Sequence, residues 1–308
     1  MTNGLFRSPS WRRRMRRMNL DKLKKELRRQ GPEAQRSRRR QVHLFLLALL
    51  VCLLLIASVF AYRVYQQTVP GRLYSKGLTL ESQDRPEQAL ASYQRLFRGY
   101  SDSLLAAEAL FRAARICRYD LRQDQQALLF FLQLEHDYPE SGYVIQAQRE
   151  AADLTKNRLH DFAHAVVIYQ RLLDGGTDDG DRILYEIADC YFRLNNYSQA
   201  RIELDALLER FPESSLRAEV LYRRASAALL EGTPEVARAG FRELVELFPG
   251  TTYAAEARFN LAELLEAEER LRDALKAYRT LSDYPRPELV QEKIERLEAR
   301  IAKKKKVL

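Results

Sequence analysis

A small residue returns along this 308-residue chain at a near-constant interval, and that beat constrains the fold more than any other feature. Ala89, Ala127, Ala165, Ala200, Ala237 and Ala274 are separated by 38, 38, 35, 37 and 37 residues. Four positions after each stands a large apolar residue: Tyr93, Phe131, Tyr169, Leu204, Phe241 and Tyr278. One helical turn separates the members of each pair, so both lie on the same face. The small member lets a second helix approach, and the large one fills the adjoining space. Punctuation falls on the same beat. HDYPES (136–141), RFPESS (210–215), LFPGTT (247–252) and DYPRP (283–287) each end a helix, because proline cannot continue one and the following Ser, Thr or Gly suits a turn. GYSDS (99–103) and DGGTDDG (174–180) fill the same places without proline. Only 12 glycines and 10 prolines interrupt the chain, and no stretch alternates as a half-buried strand does. The prediction is an all-α protein.

The fourth unit, DRILYEIADCYFRLNNYSQARIELDALLERFPES, carries the clearest pattern, in Leu184, Ile187, Ala188, Tyr191, Tyr197, Ala200, Leu204 and Pro212. The fifth has Leu221, Ala225, Gly232, Ala237, Phe241 and Pro249, with Arg224 where an apolar residue is usual; the first has Gly77, Ala89 and Tyr93. These residues resemble the tetratricopeptide repeat, whose units of about 34 residues are antiparallel helix pairs. The resemblance covers residues 71–287 and implies a right-handed α-solenoid of about six pairs. The phrases FPESSLRAEVLYRRA and FPGTTYAAEARFNLAELL are similar to the bacterial envelope branch of that family. That branch includes the lipoprotein of the outer-membrane assembly machine, the periplasmic protein working with Tol-Pal, and single-pass proteins associated with the Sec translocon. Residues 288–308 close the chain as a capping helix, with Leu289, Ile294, Leu297 and Ile301 on one side and Lys303–Lys306 offsetting the helix dipole.

Upstream of the repeats, residues 42–62 carry no formal charge. Twenty-one residues at ~1.5 Å rise reach about 31 Å, the thickness of a bilayer core. His43 sits at one edge, and Tyr62 and Tyr65 flank the other as interfacial aromatics do. The segment reads as a transmembrane helix, followed by a linker at 63–70. A cleaved signal, with Val59-Phe60-Ala61 at the cleavage site, is the rival reading, but the basic region before it is long and so is the apolar run. Lipidation at Cys52 is disfavoured by Val51, where a small residue is expected.

Residues 1–41 hold 15 Lys and Arg against Asp21, Glu26 and Glu33, whereas the remaining 36 basic and 39 acidic residues leave the rest slightly acidic. Basic flanks stay in the cytoplasm, so the N-terminus is expected inside and the repeats outside: in a Gram-negative bacterium, an inner-membrane protein with its repeats in the periplasm. Asn19 is expected to cap a short helix over 20–30, ended by Gly31-Pro32, with Leu20, Leu23 and Leu27 on one face. Such a tail suits anionic lipid, and nucleic-acid binding by WRRRMRR lacks any accompanying recognition fold.

No glycine-rich phosphate loop, nucleophile elbow or CxxC pair appears, and the carboxylates interleave with arginine as on a solvated surface. His160 and His164 stand one turn apart, a spacing that can chelate zinc, but no third ligand is evident and the register puts His160 in a turn. Cys117 and Cys190 read as small core residues. The expectation is a non-enzyme without metal, cofactor or small-molecule substrate. Stacked first helices form an inner wall, onto which the register places Tyr185, Asp189, Phe192 and Arg193, then Tyr222, Ser226 and Leu229, then Phe259, Glu263 and Glu266. The aromatic ladder Tyr185, Tyr222, Phe259 either anchors a partner or packs between repeats. The function expected is an envelope scaffold recruiting a protein partner; the alternatives are a holdase for exported polypeptides and a self-associating structural protein.

Overall fold

The computed structural model describes the backbone over residues 10–307 and the side chains of residues 20, 22–25, 42–65 and 68–304. Among these residues every regular element is helical. The chain divides into two compact units at the Val69–Pro70 bond.

The helix α1, Ser10–Ser82, runs through the first unit and supplies the opening residues of the second. The break expected at Gly31-Pro32 is not there, and residues 63–70 are helical as well. An interior proline removes an N–H donor and crowds the carbonyl four residues back, but the surrounding Leu, Lys, Arg and Gln are strong helix formers that carry the helix across. Nor does a helix start at an Asn19 cap, since α1 is already under way from Ser10; the side chains of the basic tail, expected to suit anionic lipid, fall largely outside the described ones. The part of α1 over Val42–Ser82 is long and apolar enough to cross a membrane, and among the described residues none of its most apolar window is buried. Leu44, Phe45 and Phe60 are each more than two-thirds exposed.

In the second unit, residues 71–82 of α1 pair with α2 (Pro86–Gly99). Next come α3 (Ala106–Arg115) with α4 (Asp124–Asp137), α5 (Val144–Asn157) with α6 (Phe162–Asp174), and α7 (Gly180–Arg193) with α8 (Tyr197–Arg210). The last pairs are α9 (Arg217–Leu230) with α10 (Pro234–Leu247) and α11 (Thr252–Ala267) with α12 (Leu271–Arg279), before the terminal α13 (Pro287–Val307). From α2 onward each helix packs on its sequence neighbours, and α9 also meets α11, the next first helix. That is the contact pattern of a solenoid, in which stability comes from repeat-to-repeat interfaces.

All six recurring alanines are fully buried, as are Tyr93 and Phe241, while Phe131, Tyr169, Leu204 and Tyr278 are nearly so. A second marker keeps the same beat. Asp84, Arg122, His160, Asn195, Gly232 and Glu269 each lie five residues before a packing alanine, and each adopts the left-handed conformation, with φ between 54° and 85°. This residue reverses the chain between the two helices of every repeat. Second helices in three of the four proline-marked units close alike: the N–H groups of Tyr138, Phe211 and Phe248 each donate to the carbonyl four residues back at 2.9 Å, and the next residue is proline; α12 instead ends at Arg279, ahead of DYPRP.

The second repeat carries one extra residue, taken up by a π-helical turn at Ile116–Asp120 after α3. There the Leu121 N–H donates to the Ile116 carbonyl at 3.0 Å, a five-residue span. At the other end, Val290 and Leu297 of α13 are buried with Leu281, Tyr284 and Tyr278, so α13 covers the last repeat.

Candidate partner-binding face

The first helices bring an aromatic residue to equivalent places in five repeats: Tyr74, Phe111, Tyr185, Tyr222 and Phe259. In the third repeat, whose first helix starts 38 residues after α3 and 36 before α7, the place falls to Arg149. Two rungs of this series, Tyr74 and Phe111, were missed by reading only the better-matched repeats. The rings pack in a shared way. Phe111 lies 6.0 Å from Phe131 of its own repeat and stacks at 5.3 Å on Tyr143 at the start of the next. Tyr222 lies 5.9 Å from both Phe241 and Tyr253. Phe259 lies 5.4 Å from Tyr278 and is stacked at 4.6 Å on Tyr284. The ladder therefore joins repeats. Phe259 is buried within it, while Tyr185 and Tyr222 remain half-buried.

Polar groups beside the ladder bridge consecutive first helices. Tyr74 donates to Glu108, and Arg112 Nε donates to the Tyr74 oxygen at 3.0 Å and to Glu108 at 3.1 Å. The same trio recurs three repeats later, where Tyr185 donates to Glu219 and the Arg223 guanidinium lies 5.2 Å over the Tyr185 ring. Asp189 is buried between cations, with Lys156 Nζ at 2.6 Å and Arg223 Nη1 at 2.7 Å. Burial pushes the Asp189 carboxyl up, but Lys156 and Arg223 outweigh it and hold the group below the ordinary aspartate value. Asp189 is thus committed to a repeat junction rather than open on the wall. Glu263 and Glu266 likewise meet Lys293 of α13 at 2.7 and 3.6 Å.

What remains accessible on the wall is Arg193, with the half-buried Phe192, Ser226 and Leu229. Arg193 reaches Asp189 only at 3.8 Å. Ser226 donates to the Tyr222 carbonyl at 2.9 Å. Such a surface offers guanidinium, apolar and hydroxyl contacts but no nucleophile paired with a base. Cys117 and Cys190 are buried, and burial pushes both thiols up to about 11, so neither is a thiolate at neutral pH. His160 and His164 are exposed, and the latter pairs with Asp161 at 2.6 Å. Among the described residues no group of three His, Cys, Asp or Glu stands together as metal ligands.

The helix pairs, their left-handed turns and their buried alanines define a tetratricopeptide solenoid. The tetratricopeptide-repeat family matches residues 108–141, 158–215 and 185–252, and those residues carry tetratricopeptide repeats. Among solved structures, the chain is similar to a tetratricopeptide repeat protein from Parabacteroides merdae, at 17% identity over 75% of this chain and 99% of that one, with a TM-score of 0.45. YrrB, described as having an unusual peptide-binding site, is similar at 15% identity over 64% of this chain and 94% of its own, TM-score 0.46. MamA from Desulfovibrio magneticus is similar at 13% identity over 58% and 94%, TM-score 0.41. No curated protein matches.

Proposed function

We propose that this protein is a single-pass membrane scaffold whose repeat unit holds a protein partner on its inner wall. Tetratricopeptide proteins mediate protein–protein interactions, and nothing in the wall described above suits it to catalysis. The observation that carries the reading is the pairing of one uncovered apolar helix with a repeat solenoid in a single chain. The basic excess before residue 42 supports a cytoplasmic N-terminus and exported repeats, in the periplasm of a Gram-negative inner membrane. The +12 tail supports an added hold on anionic lipid. Envelope assembly, export or division is the setting that the resemblance favours.

In-cell crosslinking of tagged full-length protein tests this. One saturable partner, lost when Phe192 and Leu229 are both changed to Ala, is the expected result. A diffuse set of unfolded clients would instead identify a holdase, and no adduct would remove the scaffold reading.

A second reading has its own observation. Leu129, Val167 and Ile202 each stand two residues after a packing alanine, on three successive second helices, and each is more than half exposed. An apolar row of this kind favours self-association through the outer face. Sizing of residues 71–308 checks it: a dimer that Ile202→Glu returns to monomer supports it, and a monomer at all concentrations overturns it.

A further inference from the structure

The charge ledger of the inner helices is one-sided. From Glu108 to Glu266, every carboxylate on the first helices and their capping positions contacts a cation or a hydroxyl, apart from Asp120 at the end of the π turn. Glu150 and Asp153 take Arg118, Asp179 takes Arg149, and Glu186 takes Lys156. Asp181 accepts from Ser214, and Glu256 accepts from Tyr284 at 3.0 Å. Guanidiniums, by contrast, are left over. Among the described residues Arg115 and Arg182 have no carboxylate within ion-pair distance, and Arg193 has only the 3.8 Å contact to an Asp189 already held by two other cations. All three are exposed.

Their placement is ordered. Arg115 stands four residues after Phe111, whereas Arg182 and Arg193 stand three before and eight after Tyr185, so all share the ladder face of their helices. The Arg115 guanidinium is held 5.8 Å over the ring of Tyr119. Tyr119 is itself on the π turn, fixed by its 2.7 Å bond to Glu150 and by Arg118 at 5.0 Å from its ring, yet remains 45% exposed. A π turn that presents a fixed, exposed aromatic beside a free cation is a local departure of the sort found at functional sites. In the fourth repeat, Arg193 directly follows the half-buried Phe192.

We infer that the inner wall of the second to fourth repeats receives an acidic peptide segment. Its carboxylates pair with Arg115, Arg182 and Arg193, and its apolar side chains rest on Tyr119 and Phe192. This rests on the inner-wall reading above and names the chemistry of the partner. Two repeat steps of roughly 10 Å each separate the second repeat from the fourth, a span that about six extended residues cover.

The test uses the full chain in detergent and a fluorescent eight-residue peptide of alternating Glu and Leu, read by anisotropy. Residues 1–41 also attract such a probe, so the readout is the difference between wild type and variants. Arg115→Glu with Arg193→Glu is expected to weaken binding by about tenfold or more, whereas Arg115→Lys with Arg193→Lys retains most of it. An unchanged affinity in a charge-reversed protein that still melts like wild type overturns the inference. So does displacement of the peptide by phosphatidylglycerol vesicles from the wild type but not from the reversed variant, which assigns the arginines to lipid. If the probe is indifferent to charge reversal while Phe192→Ala with Leu229→Ala still abolishes crosslinking to the partner, the inner wall stands and the acidic chemistry falls.

Discussion

At Gly77 there is no room for a side chain, because an added Cβ would lie 2.4 Å from the Tyr93 ring. Tyr93 is fully buried and cannot swing clear. Gly77→Ala is therefore expected to destabilise the repeat unit by roughly 1–3 kcal/mol, the usual cost of overpacking, measured as a lower midpoint in urea. Asp189 is a different case, since its neighbours rather than its volume fix its effect. Asp189→Ala leaves the buried Lys156 with only Glu186, and a loss of about 3 kcal/mol is expected from breaking such a pair. The pH dependence has a definite sign. A carboxyl held below its unfolded value contributes stability above about pH 4, and that contribution drains away as pH falls through the folded value. Thermal melts of wild type and Asp189→Asn should converge at acid pH, and a constant difference would contradict the role given to the pair. Asp189 was readable as a wall residue from its register. Its pairing was not, because the partner in Arg223 lies 34 residues away. The signal was present all the same: a charge facing its opposite one repeat later, as Glu186 does Lys156 at 30.

At the scale of elements, the six left-handed residues make the turn between paired helices a substitution-sensitive point. Arg122 is exposed with φ of 55°, a conformation that penalises a Cβ. Arg122→Gly is expected to stabilise by about 0.5–1 kcal/mol, and Gly232→Ala, at φ of 85°, to destabilise by about 1 kcal/mol. Calorimetry on the two variants checks both directions together. The spacing of the alanines made the helix pairs legible, since a small residue at a crossing is a direct demand of close packing. The turns were less legible, because Asp84, Arg122, His160 and Glu269 occupy a place where glycine is the expected sign. Proline misled in the opposite sense. Pro32 and Pro70 lie inside α1, the latter even between the weak helix formers Val69 and Gly71, whereas Pro139, Pro212 and Pro249 follow helix ends that their own capping bonds close.

For the molecule as a whole, the repeat unit depends on its last helix. Val290 and Leu297 cover Tyr278 and Tyr284, while Lys293, Arg296 and Arg300 gather on Glu266. Truncation after Pro285 is expected to expose that cluster, so the shortened protein should aggregate or lose its sharp unfolding transition, as an uncapped repeat array does. A soluble, cooperatively melting truncation would show that α13 is dispensable. The apolar segment was read from composition alone because nothing else in the chain is as long and uncharged; the partner was beyond reach because its chemistry depends on which arginines the ion pairs leave free.

The most direct measurement places a photo-crosslinking amino acid at Ser226 on the inner wall and, separately, at Ile202 on the outer face, in cells producing the full-length protein. One adduct of fixed mass with a second protein, formed from Ser226 and not from Ile202, is the predicted result. That adduct forming from Ile202 alone, or a smear of masses from both positions, would contradict the inner wall as the seat of partner binding.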